Sequence, residues 1–70
     1  MSDQGKFLVY CLEMYRAAKN MSGREAFELF HKTGADTYVR KCFGALHTTG
    51  NQYIIDDLDG FINDRLRPAA

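Results

Sequence analysis

The side chains best suited to nucleophilic or metal chemistry are two cysteines and two histidines: Cys11, Cys42, His31 and His47. Zinc sites usually take their ligands in close pairs, separated by roughly two to five residues. Cys42 and His47 come near such a spacing, but no second pair accompanies them, so we expect no metal site. A catalytic thiol also needs a base, an orienting group and a pocket, which a chain of 70 residues rarely encloses. We therefore expect neither an enzyme nor a cofactor-binding protein.

Three neighbouring carboxylates, those of Asp56, Asp57 and Asp59, could in principle attract a cation. A calcium loop of the EF-hand type needs alternating ligands, a central glycine and a final glutamate over about twelve residues. Counted from Asp57, the central position holds Ile62 and the final position holds Pro68, so the motif fails. Negative charge is favourable at the start of a helix, and we predict that this cluster opens one.

The charge balance of the chain disfavours nucleic acid as a partner. Nine Lys and Arg residues face nine Asp and Glu residues, whereas nucleic-acid binders normally carry a basic excess that neutralises phosphates. One alternative stays open, a helix-turn-helix whose short glycine-containing turn would be residues 33–35. Its reading helix would expose Thr37, Arg40 and Lys41 to DNA, although Asp36 at its start has the wrong charge to approach a phosphate.

Aromatic residues make up 13% of the chain, more than so small a core is expected to bury completely. The aromatic residues expected at the surface are the tyrosines, Tyr10, Tyr15, Tyr38 and Tyr53. Tyrosine is enriched in protein interfaces, so a binding surface for another protein is the favoured interpretation. The residues that we predict to form this surface are Tyr10, Tyr38, His47, Thr48 and Tyr53. A second interpretation stays open, in which His47 and Thr48 only cap a helix and hold the following turn.

Apolar residues three and four positions apart predict that helices position these side chains. The first helix is predicted from about residue 4 to residue 19, and Asn20 tolerates the left-handed turn that follows a helix. Ser22 and Glu25 fit a capping box at the start of a second helix. Gly34 is expected to supply the C-terminal turn of that helix.

The second half of the chain predicts two further elements. Asp36 is expected to cap a third helix, which runs from residue 37 to residue 46 or 47. Residues 52–55 are a β-branched and aromatic run that allows a short extended stretch. A shorter fourth helix follows and is stopped by Pro68. The predicted fold class is therefore all-α: a small orthogonal bundle of three main helices plus a shorter C-terminal helix.

Length and composition limit the number of domains and the cellular compartment that we expect for this chain. Seventy residues form one domain, 1–70, of which residues 1–4 and 67–70 are expected to be flexible ends. No segment approaches the roughly 20 apolar residues of a membrane-spanning helix, and the chain does not begin like a secretory signal. The two cysteines belong to no CxxC pattern and are predicted to be thiols in a reducing compartment. We therefore expect a cytoplasmic protein without a membrane partner.

The sequence resembles a family of short bacterial proteins that is known only as a domain of unknown function. The segments that carry the resemblance are residues 7–13, 21–25, 28–30, 46–50 and 52–59. The resemblance implies an accessory component, encoded beside proteins with an ADP-ribosyltransferase-like domain and serving as their partner or neutralising subunit. Together with the surface tyrosines, it leads us to predict a small protein-interaction module that also associates with itself.

Overall fold

The computed structural model describes residues 2–67, which form five α-helices. In chain order these are α1 (Asp3–Ala18), α2 (Gly23–Thr33), α3 (Ala35–Lys41), α4 (Phe43–Leu46) and α5 (Asn51–Leu66). No strand occurs within residues 2–67, and the predicted all-α class is confirmed. The expectations for Met1 and for residues 68–70, including Pro68 as a helix stop, lie outside the described residues.

Capping residues close in sequence define the ends of the first two helices, as the sequence predicts. Ser2 caps α1 with its side chain, and Asn20 follows that helix in the left-handed conformation with φ of 55°. Ser22 and Glu25 form the predicted capping box, in which each backbone amide donates to the other side chain at 3.0 Å. These hydrogen bonds lower the pKa of Glu25 below its usual value. Gly34 ends α2 with φ of 80°, a conformation that glycine adopts without strain.

The third helix begins earlier and ends earlier in the structure than the sequence predicts. α3 begins at Ala35, because the carbonyl of Gly34 already accepts the first helical hydrogen bond, from Tyr38. Asp36 therefore lies inside the first turn and is not the cap, which corrects the prediction. At Cys42 the backbone leaves the helical conformation, with φ of −98° and ψ of 13°, and α4 begins at the next residue.

The last helix is longer than predicted. α5 spans 16 residues, as many as α1, and residues 52–55 are its first turns rather than an extended stretch. Ile54, Leu58 and Ile62 recur every fourth residue and are all buried, so packing of one helical face outweighs the β propensity of the run. The aspartates at positions 56, 57 and 59 consequently lie within the helix and do not open it.

The core lies where α1 packs against α2, α3 and α5. Its buried residues are Leu8, Cys11, Tyr15, Phe30, Ala35, Val39, Ile54, Leu58 and Ile62. Hydrogen bonds from Tyr10 to Asn51 and from Tyr15 to Asp59 join α1 to α5. α4 brings Phe43 against Phe7 of α1.

Candidate functional site

Four rings follow one another across α1 and α4, and two of them belong to the predicted interaction surface. Tyr10 stacks on Phe7 with 6.3 Å between the ring centroids. Phe7 meets Phe43 edge-on at 5.5 Å, and Phe43 stacks on His47 at 4.4 Å. We call Tyr10, Phe7, Phe43 and His47 the aromatic row. The structure therefore connects Tyr10 to His47, which is far away in sequence, through Phe7 and Phe43.

The ends of the aromatic row are accessible and its middle is half-buried. Tyr10 is 46% exposed and His47 is also exposed, whereas Phe7 and Phe43 are partly covered. Aromatic residues are enriched at the centres of protein interfaces, and this region offers several at one place.

Hydrogen bonds hold both ends of the aromatic row in fixed positions. The hydroxyl of Tyr10 donates to Oδ1 of Asn51 at 2.5 Å. Nδ1 of His47 lies 2.5 Å from the carbonyl oxygen of Phe43. Because a carbonyl can only accept, Nδ1 carries the proton, and Nε2 of His47 is left as the acceptor or second donor for a partner. Side chains that are already ordered lose less entropy on binding.

The turn after α4 is held by its own side chains. The hydroxyl of Thr48 donates to the carbonyl of Ala45 at 3.1 Å, and that of Thr49 donates to the carbonyl of Leu46 at 2.7 Å. With the bond from His47, these contacts satisfy carbonyls at the end of a helix, which otherwise lack partners. The geometry matches the capping interpretation for Thr48, while the ring of His47 also belongs to the aromatic row.

Tyr38 and Tyr53, the other two predicted surface tyrosines, lie apart from the aromatic row. The hydroxyl of Tyr38 donates to Asp57 at 2.5 Å, and its ring stacks on Phe61 with 4.2 Å between centroids. The hydrogen bond to Asp57, then burial, raise the pKa of Tyr38 well above its usual value. Tyr53 is 60% exposed and follows Asn51 by two positions on α5, so the two point to different sides of that helix.

Tyr15 is buried, contrary to the prediction that it lies at the surface. Only 3% of the residue is exposed, and its ring packs edge-on against Phe30. Its hydroxyl donates to Asp59 at 2.8 Å, and Lys19 pairs with the same carboxylate at 2.5 Å. Burial, followed by the bond to Asp59, raises the pKa of Tyr15. Burial also acts to raise the pKa of Asp59, but the bonds from Lys19 and Tyr15 outweigh it and leave that pKa lowered.

The three candidate DNA contacts lie on or near a pocket between α3 and α5. We call it the α3–α5 pocket; it has a volume of about 130 Å³ and is lined by Gly34, Thr37, Tyr38, Lys41, Phe61 and Arg65. Arg40 is exposed but does not line it. α3 has seven residues, which span only about 10 Å, and Asp36 in its first turn would face phosphate with like charge. No contact here favours DNA as the ligand.

The two cysteines differ in burial, and the buried thiol, that of Cys11, is the unreactive one. Burial raises the pKa of the Cys11 thiol to about 11, and Cys11 is fully covered, so its thiolate is scarce at neutral pH. Cys42 is partly exposed and not paired with Cys11. Residues 2–67 contain no group of three His, Cys, Asp or Glu side chains arranged to hold a metal ion. None of the helices in that range is both long and apolar enough to cross a membrane.

Sequence reasoning missed the two residues that complete the aromatic row, Phe7 and Phe43, and also Asn51, which accepts from Tyr10. A signal for part of it is present, because Phe7 and Tyr10 are three apart, and Phe43 and His47 are four apart, as neighbours on one helical face are. The contact between Phe7 and Phe43 has no such signal, since it depends on how α4 packs against α1.

Comparison with known proteins gives one match. A family model described as "Protein of unknown function (DUF3791)" matches residues 6–65. This range contains the aromatic row, the α3–α5 pocket and all but the first residues of α1. No curated protein and no solved structure matched the chain in the two further comparisons.

Proposed function

The chain belongs to the family described as Protein of unknown function (DUF3791), and we propose that it acts as a small, non-catalytic protein–protein interaction module. The observation that carries this proposal is the aromatic row, in which two half-buried rings link the exposed rings of Tyr10 and His47, and each exposed ring makes a hydrogen bond. Binding energy in protein interfaces concentrates in such ordered aromatic anchors.

The partner in this proposal is another protein encoded nearby, and the complex forms in the cytoplasm. An ADP-ribosyltransferase-like protein is the first candidate, because the resemblance seen in the sequence implies an accessory or neutralising role beside such proteins. In its absence, the exposed rings of Tyr10 and His47 support association of two copies of the chain. The two modes compete for the same row, so partner binding is expected to dissociate the self-associated form.

The test measures the affinity of the purified chain for the purified neighbouring protein by calorimetry. Replacing both exposed ends of the aromatic row, Tyr10→Ala with His47→Ala, is expected to weaken binding by about 2 kcal/mol or more, the size of an interface hot spot. The free protein, studied by light scattering, should become monomeric with the same variant. Circular dichroism checks that the variant keeps its helices.

A matched control exists on α2, where Phe27 and His31 form another stacked, exposed pair. Phe27→Ala with His31→Ala removes as much aromatic surface outside the row and should leave the affinity unchanged. An equal loss of affinity in both variants would show nonspecific hydrophobic binding and contradict the proposed role of the aromatic row. Recovery from cells of only the chain itself with nuclease-sensitive DNA would overturn the proposal in favour of the helix-turn-helix alternative.

A further inference from the structure

The α3–α5 pocket contains two cations that have no carboxylate partner among residues 2–67. Lys41 and Arg65 both line it, both are exposed, and neither forms an ion pair within that range. Of the nearby carboxylates, Asp64 pairs with Arg67, while Asp57 lies beside the pocket, where it accepts from the Tyr38 hydroxyl and pairs with neither cation. Two cations beside this one carboxylate leave the pocket locally positive, on a chain whose net charge is zero.

The pocket is also built, because its aromatic wall holds one of these cations in place. The guanidinium carbon of Arg65 lies over the ring of Phe61, 4.9 Å from its centroid, and Phe61 stacks on Tyr38. A guanidinium packed on a ring keeps its N–H donors at the edge, directed to groups in the plane. Thr37 adds a hydroxyl to the lining. Charged and neutral donors thus lie beside aromatic ring edges, because Tyr38 and Arg65 cover the two faces of Phe61.

The size of the pocket selects the kind of ligand. At about 130 Å³ it is well below the roughly 300–1,000 Å³ of sites for free small molecules. It is large enough for an oxyanion with a short aliphatic stem. A carboxylate accepts paired hydrogen bonds from a guanidinium and a further one from an ammonium group.

We propose that the α3–α5 pocket receives one acidic side chain, a glutamate or aspartate, from the partner protein. This inference rests on the proposed function, because the acidic side chain belongs to the partner protein. It specifies the chemistry of one contact in that complex. Lys41 and Arg65 bind the carboxylate, Thr37 donates to it, and the edge of the Phe61 ring contacts its stem.

The test uses the ¹⁵N-labelled full chain, followed by NMR, and blocked glutamate (N-acetyl-glutamate N-methylamide) at constant ionic strength. We expect saturable shifts at Lys41, Arg65 and Thr37, and none with the blocked glutamine analogue of the same shape. Lys41→Gln with Arg65→Gln should weaken binding by about tenfold or more, because charge-assisted bonds are lost. The matched control, Lys6→Gln with Arg24→Gln, removes the same charges elsewhere and should bind as wild type.

Several outcomes overturn the inference. These are no shift at these residues up to about 50 mM blocked glutamate, equal shifts with the glutamine analogue, or equal binding by the two double variants. Inorganic phosphate or a short DNA duplex binding there in preference to the carboxylate also overturns it. The Tyr10→Ala with His47→Ala variant separates the two proposals: it should keep the carboxylate shifts while losing the partner, so either proposal can fail alone.

Discussion

The two sides of α5 use the same polar pair in different ways. Toward α1, the hydroxyl of Tyr15 bonds to Asp59 within a closed contact; toward α3, that of Tyr38 bonds to Asp57 beside an open pocket. The two tyrosines differ in burial, since Tyr15 is 3% exposed, whereas Tyr38 is only half-buried on α3, a helix of seven residues. In the buried position the pair contributes to stability, and in the half-buried position the same pair borders a pocket.

The largest expected effect contrasts the two tyrosine rings. Tyr15→Ala should cost about 3–5 kcal/mol of unfolding free energy, because it empties a core position. Tyr38→Ala should cost only about 1–2 kcal/mol, because its ring is partly exposed and the loss enlarges an existing pocket. Urea unfolding followed by circular dichroism measures both. A loss for Tyr38→Ala as large as that for Tyr15→Ala would show that the two sides of α5 are equally closed.

The second effect is a loss of stability at alkaline pH, which measures the contribution of the tyrosine hydroxyls alone. The folded pKa of Tyr15 lies above its ordinary value of 10.0, so its contribution to stability is complete below that pH and is lost as the pH rises above it. Wild type should lose up to about 1.4 kcal/mol per pH unit for this group, and Tyr15→Phe should lack that loss. Unfolding at several pH values above 10.0 measures the slope, with Tyr38→Phe as the counterpart on the open side. An unchanged slope in Tyr15→Phe contradicts the prediction.

The third effect appears in acid and depends on the carboxylates. The pKa of Asp59 is lowered, so its contribution is present above its ordinary value of 3.8 and disappears as the pH falls through the folded pKa. Asp59→Asn should cost about 1 kcal/mol at neutral pH, and the difference from wild type should shrink as the pH falls below 3.8 and vanish below the folded pKa. Thermal unfolding across this range tests it. A difference that persists in acid would assign the cost to packing rather than to charge.

The smallest effect concerns α5 itself. Gly60 is exposed, and a methyl group added there would meet no neighbouring atom within 4 Å. Gly60→Ala should therefore stabilise the protein by about 0.5–1 kcal/mol, without changing either side of the helix. Thermal unfolding measures the gain. Carboxylate binding in the α3–α5 pocket should stay as in wild type, and a change there would mean that α5 positions the pocket through its backbone.

Part of the candidate site was predictable from the sequence. Tyr10 and His47 were both proposed as surface residues, and their sequence context does not separate them from Tyr53, which lies elsewhere on α5. The sequence predicts Tyr15 at the surface with the other tyrosines, because so small a core is not expected to bury every aromatic residue. The partner, Asp59, is supplied by a helix distant in sequence, and so burial could not be predicted.

The sequence by itself determined the features whose bonds close within about four residues. The capping box of Ser22 and Glu25 and the left-handed turn at Gly34 are of this kind, because donor, acceptor and backbone preference are neighbours in the chain. Only the tertiary structure decided that residues 52–55 are helical, that Phe7 meets Phe43, and that a pocket opens beside α3. Each of these depends on which helix faces pack together in the core. Local propensity is too weak to determine this, because burial of apolar side chains outweighs it.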